Sequence, residues 1–369
     1  MGSLARRIRG QPGPENRRRG ASPRHYGVPV QTEWEQRWAT AQWRDEATAW
    51  ADAALRARGI SRTGDVEQPR LRTWSTALTL PTDVGLFWFK ENCPGLSSEA
   101  AVVAALTELA PERVVAPLAV DAARGWMLTA DHGQTLREAG RNDLATWVRV
   151  VEDYADLQRG TVEHGATLRE AGIAVLESQD VAGYVEAQLA KLSALPEGHP
   201  RYVDPVLLAR VHDVLPQLEK LGAVLAAGPV PLALDHNDLH DNNAFVPTEA
   251  ETTLRFFDFG DALWAHPFGS MLIVLNVVTD PGGLDLDEAA VTGLLDAYLG
   301  RWTDLAPLAE LHELLDAALV LGRVHRYLSW DRSFVGAPPE ALGGQAQSPA
   351  LWLQLLAESL EPGGSPRVL

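Results

Sequence analysis

Apolar positions change period several times along the chain, and the changes mark out elements. Over 33–58, Trp34, Trp38, Trp43, Trp50, Ala54 and Leu55 recur at roughly helical spacing, and Gly59 stops the run. Such a tryptophan stripe predicts a packing face on one long helix. From 60 to 90 the pattern is β-like. Segments near 65–68, 75–80 and 85–90, punctuated by Pro69 and by Pro81-Thr82-Asp83, predict three antiparallel strands. Ser97 or Ser98 caps a helix reaching about Leu109, with Glu99 in its first turn. Stretches 113–120 and 125–129 read as two more strands, before Ala130-Asp131-His132-Gly133 breaks the pattern. Beyond Thr135 the period is helical, with apolar positions at i, i+3 and i+4 over 145–157, 181–195 and 206–225. Short apolar runs at 231–234, 244–246 and 254–257 predict three strands separated by a polar loop and a turn over 247–253. Helices are predicted again at 268–279, 286–301, 305–329 and 349–360, with a loop at 343–348.

The chemistry is concentrated in 232–260, LALDHNDLHDNNAFVPTEAETTLRFFDFG. Asn243 and Asp258 offer hard oxygen ligands that suit Mg²⁺, which takes few protein ligands and keeps waters or phosphates for the rest. Asp238, five residues before Asn243, is placed to accept a proton from a substrate hydroxyl beside that ion. Further upstream, Lys90 closes the apolar strand Leu-Phe-Trp-Phe-Lys, and a lysine so placed needs a partner. Glu99 is the first candidate and Glu91 the second.

His236, Asp238, His240 and Asn243 in H-N-D-L-H-D-N-N, followed by Asp258-Phe259-Gly260, resemble the catalytic loop and D-F-G element of kinases. The form is most similar to the aminoglycoside phosphotransferase and choline kinase-like families, which show H-G-D-x-H-x-x-N. The resemblance implies an α+β, two-lobed protein kinase-like fold, with a small antiparallel β-sheet N-lobe and a larger, mostly helical C-lobe. It implies ATP and Mg²⁺ as cofactors. Asp238 is then the base, Asn243 and Asp258 hold the metal, and His236 and His240 support the loop. Lys90 and Glu99 match the kinase strand lysine and helix glutamate, and adenine would bond backbone near Ala130 and His132. Glycine is absent where protein kinases carry G-x-G-x-x-G: the stretch reads Gln68-Pro-Arg-Leu-Arg-Thr-Trp-Ser-Thr. Backbone amides, the Ser75 and Thr76 hydroxyls, Arg70 or Arg72 are the alternatives for holding phosphates. The family pattern G-D-P-x-x-D also departs here, with Ser270 at its last aspartate, which removes a structural carboxylate. Tyr327, Trp330 and Asp331, with His325 and Arg332, form a polar-aromatic cluster suited to an acceptor pocket.

The organisation expected is a disordered basic tail over 1–25, a helical extension over 26–59, an N-lobe over 60–132, a C-lobe over 133–361 and a frayed end over 362–369. Net charge adds to this picture. The chain of 369 residues carries −17, yet residues 1–25 hold seven arginines and one acid. The acidic remainder disfavours nucleic acid and attracts a cationic small-molecule hydroxyl acceptor. One cysteine excludes an internal disulfide framework, no apolar run approaches a membrane span, and a cytoplasmic protein is expected. Two other readings use the same residues. One is a catalytically weak nucleotide-binding regulatory protein on this fold. The other is a metal-dependent hydrolase with His236, Asp238, His240 and Asp258 as a dinuclear cluster.

Overall fold

The structure is a computed structural model and describes residues 30–247, 253–279, 283–284 and 286–367. The basic tail expected over 1–25 lies outside the described residues. The tryptophan stripe folds as two helices, not one: α1 (Glu33–Trp38) and α2 (Ala41–Arg56). Two threonines cause the break. Thr32 and Glu35 form a reciprocal capping box, and the Thr40 hydroxyl accepts from Trp43 N, so a new helix starts at 41. Trp34, Trp38 and Trp43 are buried, as a packing face requires.

Strands β1 (Glu67–Arg72), β2 (Ser75–Thr82) and β3 (Gly85–Asn92) are followed by helix α3 (Glu99–Leu109) and then by β4 (Pro117–Asp121) and β5 (Trp126–Ala130). They form one antiparallel sheet in the order β1-β2-β3-β5-β4. Register decides what each face carries, because alternate side chains point to opposite sides. Arg70, Ala77, Lys90 and Met127 are successive cross-strand partners on one face; Thr76, Glu91 and Trp126 are partners on the other. The second face buries Leu78, Leu80, Phe89 and Leu128 against Trp38, Trp43, Ala47 and Leu55 of the two N-terminal helices. Each large side chain so buried contributes about 1.5–3 kcal/mol, enough to fasten the extension to the sheet.

The remainder is mainly helical: α4 (Leu144–Thr161), α5 (Gly165–Glu170), then after β6 (Ala174–Val175) α6 (Val181–Ser193) and α7 (Pro205–Ala227). Short strands β7 (Ala233–Asp235), β8 (Ala244–Phe245), β9 (Arg255–Phe256) and β10 (Leu263–Ala265) come next. Only β8 and β9 pair with each other; β7 pairs with β10, a strand missed in the sequence, in the sheet β6-β10-β7. Helices α8 (Met271–Thr279), α9 (Glu288–Gly300), α10 (Leu308–Ser333) and α11 (Ser348–Leu360) complete the lobe. Helix α10 runs through the core and is buried along most of its length. Among the described residues no helix is long and apolar enough to cross a membrane.

Candidate active site

The cleft face of the sheet and the loops after β7 and β9 supply the site. Lys90 Nζ lies 2.9 Å from Glu99 Oε1 and 2.6 Å from Asp258 Oδ1, joining a strand, a helix and a loop 168 residues away. Asn92 Nδ2 donates to the other Glu99 oxygen. Burial weighs against the ammonium, but the charges of Asp258 and Glu99 outweigh it and raise the Lys90 pKa. Asp258 is lowered: burial pushes its carboxyl up, and Lys90 more than reverses that. Its side chain stays 46% exposed to the cleft. Glu91, the second candidate partner, turns to the back of the sheet, where it pairs with Arg37 and accepts from the indole N–H groups of Trp43 and Trp126.

Two residues of the motif adopt left-handed backbone, Asn237 at φ 60° and Asp258 at φ 65°. Such conformations persist in non-glycine residues only where the surroundings hold them. Asn237 is held by His325 O, which accepts from its amide at 2.9 Å, and by Asp235 Oδ1, which accepts from its N–H at 2.9 Å. At Gly260 a Cβ would sit 3.1 Å from Asn92 Nδ2, so a larger residue would press on the amide that donates to Glu99.

Asp238 faces a guanidinium and an imidazole. Arg326 Nη1 is 3.3 Å from its Oδ1, and His240 Nε2 is 3.4 Å from its Oδ2. Burial raises the carboxyl, but Arg326 and then His240 outweigh it and hold Asp238 well below the usual carboxylate range. His240 accepts from Asn242 N through Nδ1, which leaves Nε2 as the donor, and Asp238 raises its pKa against burial. His236 is buried and kept neutral by that burial; its Nε2 lies 3.1 Å from Phe257 O, tying one loop to the other. The Asn243 amide donates to Asp238 O at 3.0 Å, which leaves its oxygen as the atom available to a cation.

Beneath this loop is a cluster the sequence did not disclose. Asp235, fully buried, accepts from Ser270 Oγ at 2.6 Å and pairs with His325 Nδ1 at 2.8 Å. Ser270, where the family pattern has aspartate, thus donates to a carboxylate carried by another segment. A Cβ on Gly269 would meet both Asp235 and His325 at 2.9 Å, so the two helical segments close only over glycine. Arg326 was missed because nothing near Asp238 in the chain points 88 residues onward; His325 was expected in the acceptor cluster and instead pairs with Asp235.

Ser75, Thr76, Ala130 and His132 line the same cleft of about 220 Å³ as Lys90, Glu99 and Asp258. The Thr76 hydroxyl is committed on the far face, donating to Arg70 O and accepting from Gln68. His132 lies 5.6 Å from the Phe245 ring. The cluster at the end of α10 divides, with Tyr327 and Asp331 on the side of Tyr184 and Arg201 and Trp330 turned toward the sheet. Tyr327 is buried against Tyr184, and Trp330 packs edge-on to Trp74. Asp331 pairs with Arg201 at 2.5 Å beside a separate cavity of about 360 Å³. Among the described residues no three His, Cys, Asp or Glu side chains are grouped to hold a metal, so His236, Asp238, His240 and Asp258 do not form a dinuclear ligand set.

No protein-family model and no curated protein matches the chain. Solved structures do. A choline/ethanolamine kinase family protein from Mesorhizobium loti is 20% identical, with a TM-score of 0.56 over 88% of this chain and 97% of that one. A Plasmodium vivax ethanolamine kinase is 9% identical, with a TM-score of 0.58 over 86% and 89%. A macrolide 2′-phosphotransferase type I is 15% identical, with a TM-score of 0.52 over 84% and 97%. Likeness at these identities is likeness of fold: the chain has the two-lobed protein kinase-like architecture.

Proposed function

We propose that this protein transfers the γ-phosphoryl group of ATP to a hydroxyl of a small molecule. The observation that carries the reading is the convergence of Lys90, Glu99 and Asp258, across 168 residues, in a cleft floored by the Asp238–Asn243 loop. The structural neighbours named as ethanolamine kinase and macrolide 2′-phosphotransferase support it.

The donor set fits magnesium bound chiefly through phosphates. It has one carboxylate open to the cleft, Asp258, and one amide oxygen, Asn243, with no third acid grouped beside them. When bound there, the ion would neutralise charge on the phosphates. Lys90 would hold the α- and β-phosphates, with Glu99 orienting its ammonium. Asp238, ionised at neutral pH under Arg326 and His240, would orient the acceptor hydroxyl and take its proton as the O–P bond forms. The bond from γ-phosphorus to the bridging oxygen breaks, and ADP leaves. Because the transition state is loose, proton transfer comes late and a weakly basic carboxylate suffices.

The acceptor is a small alcohol, and the acidic excess outside the N-terminal tail favours a cationic one. The buried Cys93 thiol suits a reducing cytoplasm. ADP release from Mg-ATP across aminosugars, choline and macrolides tests the reading. A phosphorylated product supports it. ATP hydrolysis with no product from any acceptor favours the regulatory nucleotide-binding alternative.

A further inference from the structure

In this cleft the turn between β1 and β2 occupies the place of a glycine-rich loop, and it is built differently. Arg70 and Arg72 are exposed, line the cleft, and form no salt bridge among the described residues. Two unpaired guanidinium groups are unexpected in a protein of net charge −17, where acids are plentiful. Register puts them where phosphates would lie. Arg70 stands in the cross-strand row of Ala77 and Lys90, and Arg72 opposes Ser75 in the next row of the same face. Each is held over an indole, Arg70 5.8 Å from the Trp88 ring centre and Arg72 5.7 Å from Trp74. Stacking restricts the guanidinium without consuming its N–H donors, which remain for bidentate contact with phosphate oxygens.

The turn is also braced from behind. Trp34 Nε1 donates to Thr73 O at 2.6 Å, and Thr73 Oγ1 donates to Glu35 at 3.2 Å. The Trp34 ring packs beside Gly336, and Trp74 packs against Trp330, so the turn is held between the N-terminal helix and the far lobe. A glycine-rich loop offers backbone N–H groups through its freedom of φ; this turn offers charged side chains on a fixed frame.

We propose that Arg70 and Arg72 are the polyphosphate-binding groups of the cleft, and that Trp34 and Glu35 act as positioning residues for the turn that carries them. The proposal rests on the cleft taking a nucleoside triphosphate. Calorimetry with a non-hydrolysable Mg-ATP analogue, a Mg-GTP analogue and adenosine separates the two. Arg70→Gln/Arg72→Gln weakens the Mg-ATP analogue about tenfold or more and leaves adenosine unchanged. Trp34→Phe removes the donor and part of the buried ring, and shows the same selectivity to a smaller extent, with a modestly lowered midpoint of thermal unfolding. A double variant that binds the Mg-ATP analogue as tightly as wild type overturns the proposal. So does a parallel loss for adenosine, which marks a general structural effect. Wild-type protein that binds neither triphosphate analogue overturns the reading of the cleft itself, and the proposal with it.

Discussion

Two polar clusters cross this molecule, and they are opposites. The Lys90–Glu99–Asp258 cluster opens to the cleft, with Lys90 24% and Asp258 46% exposed. The Asp235–His325 pair is sealed, at 0% and 1%. Both join segments far apart in the chain, so distance in sequence does not separate them. Access does. A sealed pair cannot meet a ligand, and the Asp235 carboxylate is engaged by Ser270, by His325 and by the backbone N–H of Asn237. An open cluster retains faces for phosphate and metal. Arg326 stands between the two, one residue from His325 and reaching Asp238, whose carboxyl it holds low.

Substitutions on either side sharpen the contrast. The largest effect is expected at the open site: Asp238→Asn lowers kcat about 10²–10⁴-fold while the unfolding midpoint in denaturant stays near wild type. Asp235→Ala does the reverse. Leaving His325 and Ser270 without their buried partner costs about 3 kcal/mol in urea titrations, while Mg-ATP affinity of the folded fraction is retained. If Asp235→Ala is as stable as wild type, the sealed pair is not the frame of the loop. Lys90→Met reduces kcat/KM about 10²-fold, read in steady-state kinetics with saturating acceptor.

The smallest effect tests the link between the clusters. A base works only when deprotonated, and Arg326 keeps the Asp238 pKa low, so wild-type activity has no acid limb from this group near neutrality. Arg326→Gln raises that pKa, and the acid limb of kcat/KM therefore moves to higher pH, with kcat down by about tenfold. An unshifted limb would place the control of Asp238 elsewhere, with His240 as the next group to vary.

Much of this was legible in the chain. The alternation over 85–90 put Lys90 and Glu91 on opposite faces of a strand, and register then settled which of Glu91 and Glu99 meets the lysine. The H-N-D-L-H-D-N-N and D-F-G segments are each local, and their resemblance to the kinase catalytic loop and D-F-G element implied that they belong together. Other features were hidden for physical reasons. One helix was expected over 33–58 because the tryptophan period runs across Thr40, whose hydroxyl restarts the helix. Strand β10 is three residues long, too short for a period to show, and it supplies the partner of β7, while the hairpin expected after the loop forms as β8 and β9. Tyr327 and Asp331, four residues apart, face Tyr184 and Arg201, whereas Trp330 between them turns to Trp74.

What the amino-acid sequence determined by itself is the set of local instructions: alternation for the sheet, caps for the helices, and the acids and amide of the two loops. Those depend on neighbours within a few residues, where chain geometry is already known. Only the folded molecule decided that Ser270 would donate to the Asp235 carboxylate, and that Arg326 would come within 3.3 Å of Asp238. Contacts of that kind arise from how packed helices deliver side chains across long loops, and no short-range pattern encodes the partner on the other side.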